Sequence, residues 1–300
     1  MTRPRILVTG AGGQLAQAFQ ELTKEDGTCV FLSKSELDIT DTTQVGAVMA
    51  EASCEWVVNT AAYTAVDAAE SDEEEAFQVN AEGPRRLAEA CRAHGARLAH
   101  VSTDFVFDGA ANRPYETSDE PGPLSVYGRS KLAGERAVAE TLSGEELIVR
   151  TSWLYGGRSS NFVSTMLRLL GDRDELSVVA DQFGTPTWAM TLARRMLGLI
   201  DADARGIHHV TDSGSATWYD FAVAIRDVAF EVGLLVDRIP IHPISTEEYP
   251  TPADRPRFSV LAKARTDRLL GDCAPHWRTS LEQHLSDAKG TLQDMERNGG

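Results

Sequence analysis

The sequence is poor in basic residues, and this limits the partners that the chain can attract. It has 29 lysines and arginines against 45 aspartates and glutamates, which gives a formal net charge of −16 at pH 7. Such a charge repels nucleic-acid phosphates and anionic membrane surfaces. We therefore expect no nucleic-acid partner and no membrane partner. Any anionic ligand must be held by a local group of donors.

Cysteine pairs and long apolar segments are also missing. The four cysteines, at positions 29, 54, 91 and 273, form no Cys-x-x-Cys pair and have no histidine at zinc spacing, so we predict neither a disulfide framework nor a zinc site. No apolar run reaches the roughly 18 residues that a membrane helix needs. The N-terminus passes into a strand pattern without the apolar stretch and cleavage site of a signal peptide. These absences predict a cytoplasmic protein.

The first half of the chain alternates short apolar runs with amphipathic stretches. This alternation is typical of a parallel sheet with helices on both faces, and it predicts an α/β fold of the Rossmann type, with a doubly wound parallel sheet. The runs predicted as strands are Arg5–Thr9, Cys29–Leu32, Trp56–Thr60, Arg97–Ser102 and Leu147–Thr151.

Two stretches between these runs are predicted to be helical. Apolar residues recur at near-helical spacing from Glu73 to His94, where Pro84 is expected to kink or interrupt the helix. A second helix is predicted from Val126 to Thr141. After about residue 152 the alternation weakens and proline-containing loops appear. We expect a mainly Rossmann part over residues 1–152, and a smaller C-terminal substrate-binding part over residues 153–300 that packs closely on it and can return strands to its sheet.

A glycine-rich turn follows the first predicted strand. Gly10 and Gly13 have Gly-x-x-Gly spacing, and Ala16 stands where a third small residue packs the next helix. Such a turn lets backbone N–H groups and a helix N-terminus approach a pyrophosphate. An unrelated glycine turn is the alternative, but the position after an N-terminal strand favours a dinucleotide site. The predicted cofactor contacts here are Gly10, Gly13, Gln14 and Leu15.

The end of the second predicted strand indicates which dinucleotide binds. An acidic residue there would hold the ribose hydroxyls of NAD, but this chain has Ser33 and Lys34. A hydroxyl and a cation suit a 2′-phosphate better, so we expect NADPH to be preferred and NADH to be possible. Further predicted cofactor contacts lie in the next loop and after the third strand: Asp38, Ile39, Ala61, Ala62, Tyr63 and Thr64.

A set of residues for proton transfer follows. Ser102 and Thr103 end the fourth predicted strand, and Tyr127 and Lys131 have Tyr-x-x-x-Lys spacing on one helix face. Reduction of a ketone by hydride leaves an alkoxide, so a nearby acid must donate a proton. A phenol, with an ordinary pKa of about 10, can do so if an ammonium group stabilises its phenolate. We predict Tyr127, Lys131 and Thr103 as catalytic, and Ser102, Tyr127 and Lys131 as cofactor contacts.

Longer stretches of the chain resemble the extended short-chain dehydrogenase/reductase superfamily, and within it the dTDP-4-dehydrorhamnose reductase family. They are GQL at 13–15, NTAAYTAVD at 59–67, VSTDFVFDG at 101–109, VYGRSKLAGE at 126–135, RTSWLY at 150–155, NF at 161–162, DQFGTPT at 181–187 and YPTPADRP at 249–256. The resemblance implies reduction of the C4 ketone of dTDP-4-dehydro-L-rhamnose to dTDP-L-rhamnose by NAD(P)H. Tyr127 would donate the proton, Lys131 would orient the cofactor and Thr103 would adjust hydrogen bonding at the carbonyl.

The same resemblance implies contacts to the substrate, a dTDP-linked 4-keto-6-deoxysugar. The implied residues are Thr103, Asp104, Trp153, Asn161, Gln182 and Arg255. For two of them a structural role is the alternative, because Trp153 could be a core aromatic and Arg255 could pair with an acidic residue. Arg255 is favoured as a ligand contact because a net anionic protein needs a local cation to hold a diphosphate.

Two departures from the family pattern affect this interpretation. Phe105 stands where the family usually has tyrosine, which removes a hydroxyl near the site and leaves the substrate open. Some members dimerise around a magnesium ion held by glutamates, but the matching positions carry Ala18 and Met190. We therefore expect no metal site, and either a monomer or a homodimer without that bridge.

Three other functions stay open at this point. The first is a ketone or aldehyde reductase of another dTDP-deoxysugar in antibiotic glycoside biosynthesis, such as dTDP-dihydrostreptose formation. The second is a noncatalytic regulatory subunit, which the intact Tyr127, Lys131 and Thr103 disfavour. The third is an epimerase or dehydratase. Asp104 follows the Ser-Thr pair as in dehydratases, but no glutamate stands next to it.

Overall fold

The computed structural model describes residues 4–25, 27–157 and 159–298, with side chains as far as residue 290. The strands are β1 (Ile6–Thr9), β2 (Cys29–Leu32), β3 (Trp56–Asn59), β4 (Arg97–Thr103), β5 (Leu147–Thr151), β6 (Leu154–Tyr155), β7 (Leu176–Val179), β8 (Phe183–Gly184), β9 (Thr187–Trp188), β10 (Gly206–His209), β11 (Ala216–Thr217) and β12 (Ile241–Ile244). The helices are α1 (Gln14–Thr23), α2 (Thr42–Ala52), α3 (Val66–Ala69), α4 (Glu73–Phe77), α5 (Gly83–His94), α6 (Val126–Leu142), α7 (Phe162–Asp172), α8 (Ala189–Asp201), α9 (Trp218–Glu231), α10 (Ala264–Leu270) and α11 (Trp277–Asn298).

The main sheet of the described residues has the strand order β2-β1-β3-β4-β5-β10, and each neighbouring pair is parallel. The chain runs from β1 to β2 on one side and then returns to β3 on the other side. In open α/β sheets a ligand binds at such a reversal, outside the carboxyl ends of the strands. The last strand of this sheet, β10, comes from the second half of the chain.

Alternation along β1 explains why helices cover both faces of the sheet. Ile6 and Val8 pack in a core cluster with residues of α1 and α8, whereas Leu7 packs in a second cluster with residues of α2, α5 and α6. A third cluster, built around Phe221 and Trp277, belongs to α7, α9 and α11 in the second half. Small antiparallel and parallel strand pairs accompany this third cluster.

The predicted elements agree with the structure except at their ends and at one helix. Arg5 and Thr60 lie outside their strands, Thr103 is the last residue of β4, and α6 continues to Leu142. The single helix predicted from 73 to 94 is wrong: α4 and α5 are separated by the π-helical segment Gln78–Glu82. Pro84 lies in the first turn of α5, where its missing N–H is tolerated.

Two absences concern the described part of the chain. Its helices include none that is long and apolar enough to cross a membrane. Its histidine, cysteine, aspartate and glutamate side chains form no group of three or more that could hold a metal ion. Ala18 and Met190 pack in the apolar core between α1 and α8.

The π-helical segment brings the backbone of Asn80 against α6, and this contact requires a glycine. A methyl group at Gly134 would lie 2.1 Å from the carbonyl oxygen of Asn80, whereas one at Gly46 in α2 would meet no atom within 4 Å. We predict that Gly134→Ala lowers the free energy of unfolding by at least about 2 kcal/mol because the backbones must separate. The control Gly46→Ala should raise it by about 0.5–1 kcal/mol. Urea unfolding measures both, and equal effects would contradict the contact.

Candidate active site

A cavity of about 570 Å³ lies at the carboxyl edge of the main sheet, beside β1 and β3. It brings together thirteen of the residues that the sequence predicts for catalysis, cofactor or substrate: Gly13, Gln14, Leu15, Ala62, Thr64, Ser102, Thr103, Asp104, Tyr127, Lys131, Trp153, Asn161 and Arg255. Phe105 also lines it. Gln182 lines a neighbouring cleft instead, and the other predicted residues are not part of the cavity wall.

The glycine turn has the shape that a dinucleotide needs. Gly10 has φ +72°, and a Cβ atom there would lie 2.9 Å from the N atom of Ala61, so only glycine fits between the ends of β1 and β3. Among the described residues at the start of α1, no side chain caps the helix, and the first helical turn has no acidic residue. Its first N–H groups can therefore bind a pyrophosphate.

The predicted 2′-phosphate contacts lie at the end of β2, next to this turn. The N–H of Ala11 donates to the carbonyl oxygen of Leu32 at 3.0 Å. Ser33 donates from both N (2.9 Å) and Oγ (2.6 Å) to Glu36, so a phosphate would have to displace a carboxylate there. Lys34 is exposed, with its Nζ 3.9 Å from Glu75 Oε1.

The remaining cofactor candidates have structural partners. Asp38 Oδ1 accepts from the N–H (2.9 Å) and hydroxyl (2.7 Å) of Thr40, and the Ile39 side chain is buried in the core. The Tyr63 hydroxyl donates to Asp72 at 3.0 Å. These residues keep only their backbone, or a rearranged side chain, to offer to an adenosine.

Tyr127 and Lys131 both face the cavity from α6, and burial dominates the chemistry of each. Burial raises the pKa of Tyr127 to about 12, opposed by hydrogen bonding with Thr103. Burial also lowers the pKa of Lys131 to about 8, opposed by Glu135. Lys131 Nζ donates to the carbonyl oxygen of Val101 at 2.7 Å. The protein alone thus keeps Tyr127 as a protonated phenol, the form that can donate a proton.

Thr103 and Asp104 form a buried pair beside Tyr127. Thr103 Oγ1 donates to Asp104 Oδ1 at 3.0 Å and accepts from the N–H of Phe105 at 3.2 Å. Burial raises the pKa of Asp104 to about 6, although hydrogen bonds from Ser259 and Thr103 oppose the shift. The Phe105 ring meets the Tyr127 ring edge-on, with centroids 5.5 Å apart, so it packs against the phenol without adding a hydroxyl.

Asn80 is a site residue that the sequence analysis missed. Its side chain accepts from the N–H of Tyr63 (2.9 Å) and donates to the carbonyl oxygen of Tyr63 (3.0 Å) and to Ser130 Oγ (3.0 Å). Ser130 in turn donates to the carbonyl oxygen of Tyr127 at 2.8 Å. Asn80 therefore ties the loop after β3 to the first turn of α6. Only the π-helical segment places it there, and local sequence gives no signal for that segment.

Trp153 and Trp218 form a stacked pair over the cavity, with centroids 3.5 Å apart and planes at 6°. Trp153 has φ +46°, a strained conformation for a non-glycine residue. A Cβ atom at Gly184 would lie 2.4 Å from the Trp153 ring, so this ring is held between Gly184 and Trp218. The aromatic platform is half-buried and lines the cavity, and sequence reasoning found only one of its two members.

Arg255 lies where the cavity meets a second, mainly apolar cleft of about 480 Å³. Its guanidinium binds both carboxylate oxygens of Asp67, at 3.0 and 2.8 Å, so the acidic partner that the sequence left as an alternative is present. Gln182 does not line the first cavity. It lines the second cleft, and its Nε2 donates to Thr246 Oγ1 at 3.1 Å. Asn161 caps α7 and donates to the carbonyl oxygens of Gly156 and Ser159.

A doubly wound parallel sheet, a glycine turn at its reversal point and a Tyr-x-x-x-Lys helix in one cavity define an oxidoreductase of the extended short-chain dehydrogenase/reductase class. Residues 4–289 match the family model described as the RmlD substrate binding domain. The chain belongs to this family.

Known proteins of similar sequence and structure carry closely related names. A dTDP-4-dehydrorhamnose reductase from Sinorhizobium fredii is 45% identical over 93% of this chain and 96% of its own length. A dTDP-4-keto-6-deoxy-D-glucose reductase from Streptomyces niveus is 39% identical over 93% and 96%. The crystal structure of a dTDP-4-dehydrorhamnose reductase from Bacillus anthracis in complex with NADP has a TM-score of 0.89 and 39% identity, and covers 95% of this chain and 99% of that one.

The buried carboxyl of Asp104 gives the stability of the protein a pH dependence. Its folded pKa of about 6 exceeds the ordinary value of 3.8, so the folded state holds this proton more tightly than the unfolded state. The corresponding stability is present below about pH 4 and is lost as the pH rises through about 6. We predict that the stability of Asp104→Asn relative to wild type rises by about 2–3 kcal/mol between pH 4 and pH 7.5, measured by urea unfolding.

Asp119 provides a control with the opposite sign. Hydrogen bonding to Arg113 lowers the pKa of this partly exposed carboxyl to about 2. Asp119→Asn should therefore lose stability relative to wild type as the pH rises from 2 to 4, and should change little above that range. A relative stability of Asp104→Asn that stays constant with pH would contradict the raised pKa.

Proposed function

We propose that this chain reduces the C4 ketone of dTDP-4-dehydro-L-rhamnose to dTDP-L-rhamnose with NADPH. The observation that carries the proposal is the single cavity in which the glycine turn, Lys131, Tyr127 and Thr103 meet. Membership of the family and the names of similar proteins support the substrate. Cytoplasmic location, and a monomer or homodimer without a metal bridge, belong to the same proposal.

The chain's own residues divide the work as follows. The turn at residues 13–15 would hold the pyrophosphate, and Lys131 the nicotinamide ribose. A bound reduced nicotinamide supplies hydride to the ketone carbon. Tyr127 donates its phenolic proton to the carbonyl oxygen as negative charge develops. Thr103 lies against the phenol and aligns this oxygen.

The apolar cleft next to the cavity suits the nucleotide half of the substrate. Its walls include Phe162, Met166 and Trp218, which offer apolar and aromatic surface to a base, and Gln182, which offers a hydrogen-bonding amide. Arg255 lies between the cavity and this cleft, where a diphosphate would connect sugar and nucleoside. We propose that the diphosphate binds Arg255, in competition with Asp67 or beside it.

A second substrate has support of its own. The similar Streptomyces niveus protein is named for reduction of dTDP-4-keto-6-deoxy-D-glucose, and Phe105 departs from the family at the cavity wall. Both sugars are 4-keto-6-deoxysugars on the same nucleotide, so the same hydride and proton positions serve either. The intact catalytic residues disfavour a regulatory subunit without activity.

Replacing the proton donor tests the function directly. With enzymatically prepared dTDP-4-dehydro-L-rhamnose, we predict that NADPH absorbance falls in the presence of the protein, and that Tyr127→Phe lowers kcat at least about 100-fold because the alkoxide loses its acid. Tyr219→Phe is the matched control, since Tyr219 packs on the second-half core and does not line the cavity. Its activity should stay within about twofold of wild type.

Parallel assays with dTDP-4-keto-6-deoxy-D-glucose, and with NADH in place of NADPH, decide substrate and cofactor. A higher kcat/KM for that sugar would replace the first substrate by the second. Absence of turnover with any dTDP-ketosugar would refute the reductase function and leave the regulatory subunit.

Removing the cation tests the placement of the diphosphate. We predict that Arg255→Gln raises KM for the sugar nucleotide about tenfold by removing charge-assisted hydrogen bonds, with KM for NADPH unchanged. Arg257→Gln is the control, because Arg257 is exposed, lies near Glu247 and does not line the active-site cavity. An equal effect of both substitutions, or a rise in KM for NADPH alone, would contradict the assignment.

A further inference from the structure

Three charged side chains lie buried together beneath α6. Lys131, Glu135 and Arg150 are only 2%, 3% and 2% exposed. Arg150 binds Glu135 through two hydrogen bonds, Nε to Oε1 at 2.9 Å and Nη2 to Oε2 at 2.6 Å. Its third nitrogen, Nη1, is buried without a hydrogen-bond partner among the described residues. Such burial is costly for charges unless they compensate one another.

Glu135 is placed to act on Lys131 as well as on Arg150. The two residues are four positions apart on α6, so they lie on the same face of the helix. Lys131 Nζ donates a hydrogen bond to the carbonyl oxygen of Val101, a neutral group that does not balance its charge. Glu135 raises the pKa of Lys131 against the lowering by burial.

The other ionisable groups packed around α6 are engaged elsewhere or lack a negative charge that could replace Glu135. Glu70, directly after α3, accepts from the N–H of Val126 (2.8 Å), and Glu73 on α4 lies near Arg129 (3.9 Å). Glu82 in the π-helical segment and Glu89 on α5 both bind Arg85. Asp104, after β4, raises the pKa of Tyr127.

Two histidines lie on the sheet side of this cluster. Burial and the charge of Lys131 lower the pKa of His100 on β4, and burial and Arg150 lower that of His209 on β10 to about 3. Both imidazoles are therefore neutral at physiological pH. Glu135 is the anion that faces Lys131 from this group of residues.

We propose that Glu135 is a positioning residue that keeps the buried Lys131 protonated, and that Arg150 limits this effect by sharing the carboxylate. The proposal depends on the proposed reductase function only for its kinetic consequence. Glu135 touches neither the phenol nor the reacting carbonyl. It acts through Lys131, whose ammonium the reaction needs beside Tyr127.

A purely structural salt bridge is the competing explanation. Breaking a buried pair by removing one partner destabilises a protein, whereas replacing both partners by neutral side chains of similar size is often tolerated. Stability alone therefore cannot separate the two explanations. The protonation state of Lys131 can separate them, because a salt bridge that only holds α6 against β5 need not change that state.

Lysine side-chain NMR on the protein without added ligands measures this protonation state. The chain has five lysines, and Lys131→Met identifies the Lys131 ε-carbon signal. We expect Glu135→Gln to lower the titration midpoint of Lys131 by about one pKa unit. The double variant Glu135→Gln/Arg150→Met should lower it less, because the repulsion from Arg150 is removed too. Glu140→Gln, an exposed site on the same helix, should leave it unchanged.

The pH dependence of kcat for NADPH oxidation provides the second measurement. The activity should fall as the pH rises through the titration midpoint of Lys131. The pH of half-maximal activity should be lowest in Glu135→Gln, intermediate in the double variant and unchanged in Glu140→Gln, as the NMR midpoints are. An unchanged Lys131 midpoint in folded Glu135→Gln or in the double variant would overturn the proposal. In an enzyme that turns over substrate, an NMR shift without a shift of the kinetic midpoint would overturn it too. If no dTDP-ketosugar is turned over while the NMR order holds, the reductase function fails and the electrostatic role stands.

Discussion

Everything at the active site depends on burying a lysine ammonium next to a phenol. Water around either group would weaken the electrostatic coupling between them, yet burial alone pushes both toward their neutral forms. The fold resolves this by packing α6 tightly on the carboxyl half of β4, so that Lys131 reaches a main-chain carbonyl of that strand. The close approach in turn requires Gly134 and the bulge of the π-helical segment opposite it. A helix of ordinary geometry from 73 to 94 would not present Asn80 in the same way.

The sequence predicts five of the six strands of the main sheet, and β1, β3 and β5 among them are buried along their whole length. Such strands appear as uninterrupted apolar runs bounded by polar residues, and all five predicted strands were located to within one residue at each end, two of them exactly. β4, for example, extends one residue further to Thr103. The Tyr-x-x-x-Lys pair was equally visible, since a fixed spacing on a helix fixes a shared face. Residues 13–15, 102–104, 127 and 131 consequently meet in one cavity, as their positions at strand and helix ends imply.

What the sequence could not predict depends on contacts between distant segments. Trp218 resembles any aromatic at a helix start until the strained backbone of Trp153 brings the two rings together. Ser33 suited a phosphate on chemical grounds, but a turn three residues long folds Glu36 back onto its donors. β10 likewise pairs with β5 although it lies more than 50 residues further along the chain. No local sequence pattern predicts that pairing. In each case the chemistry of the residue was visible and its neighbour was not.

Arg255 shows how such a neighbour changes a functional argument. An anionic protein needs a cation to hold a diphosphate, and this reasoning selected Arg255 from sequence alone. The structure adds that the guanidinium already holds Asp67, and this contact joins α3 to the loop at 249–257. A guanidinium has five donors in a fixed plane, so it can hold one carboxylate and still present N–H groups to a second anion. If the diphosphate binds Arg255 as proposed, Asp67 costs part of the attraction but holds the guanidinium in one orientation. A half-buried ion pair of this kind lowers the affinity for the diphosphate but restricts the orientation in which it can bind. Such a restriction suits a site that must place a C4 ketone within reach of Tyr127.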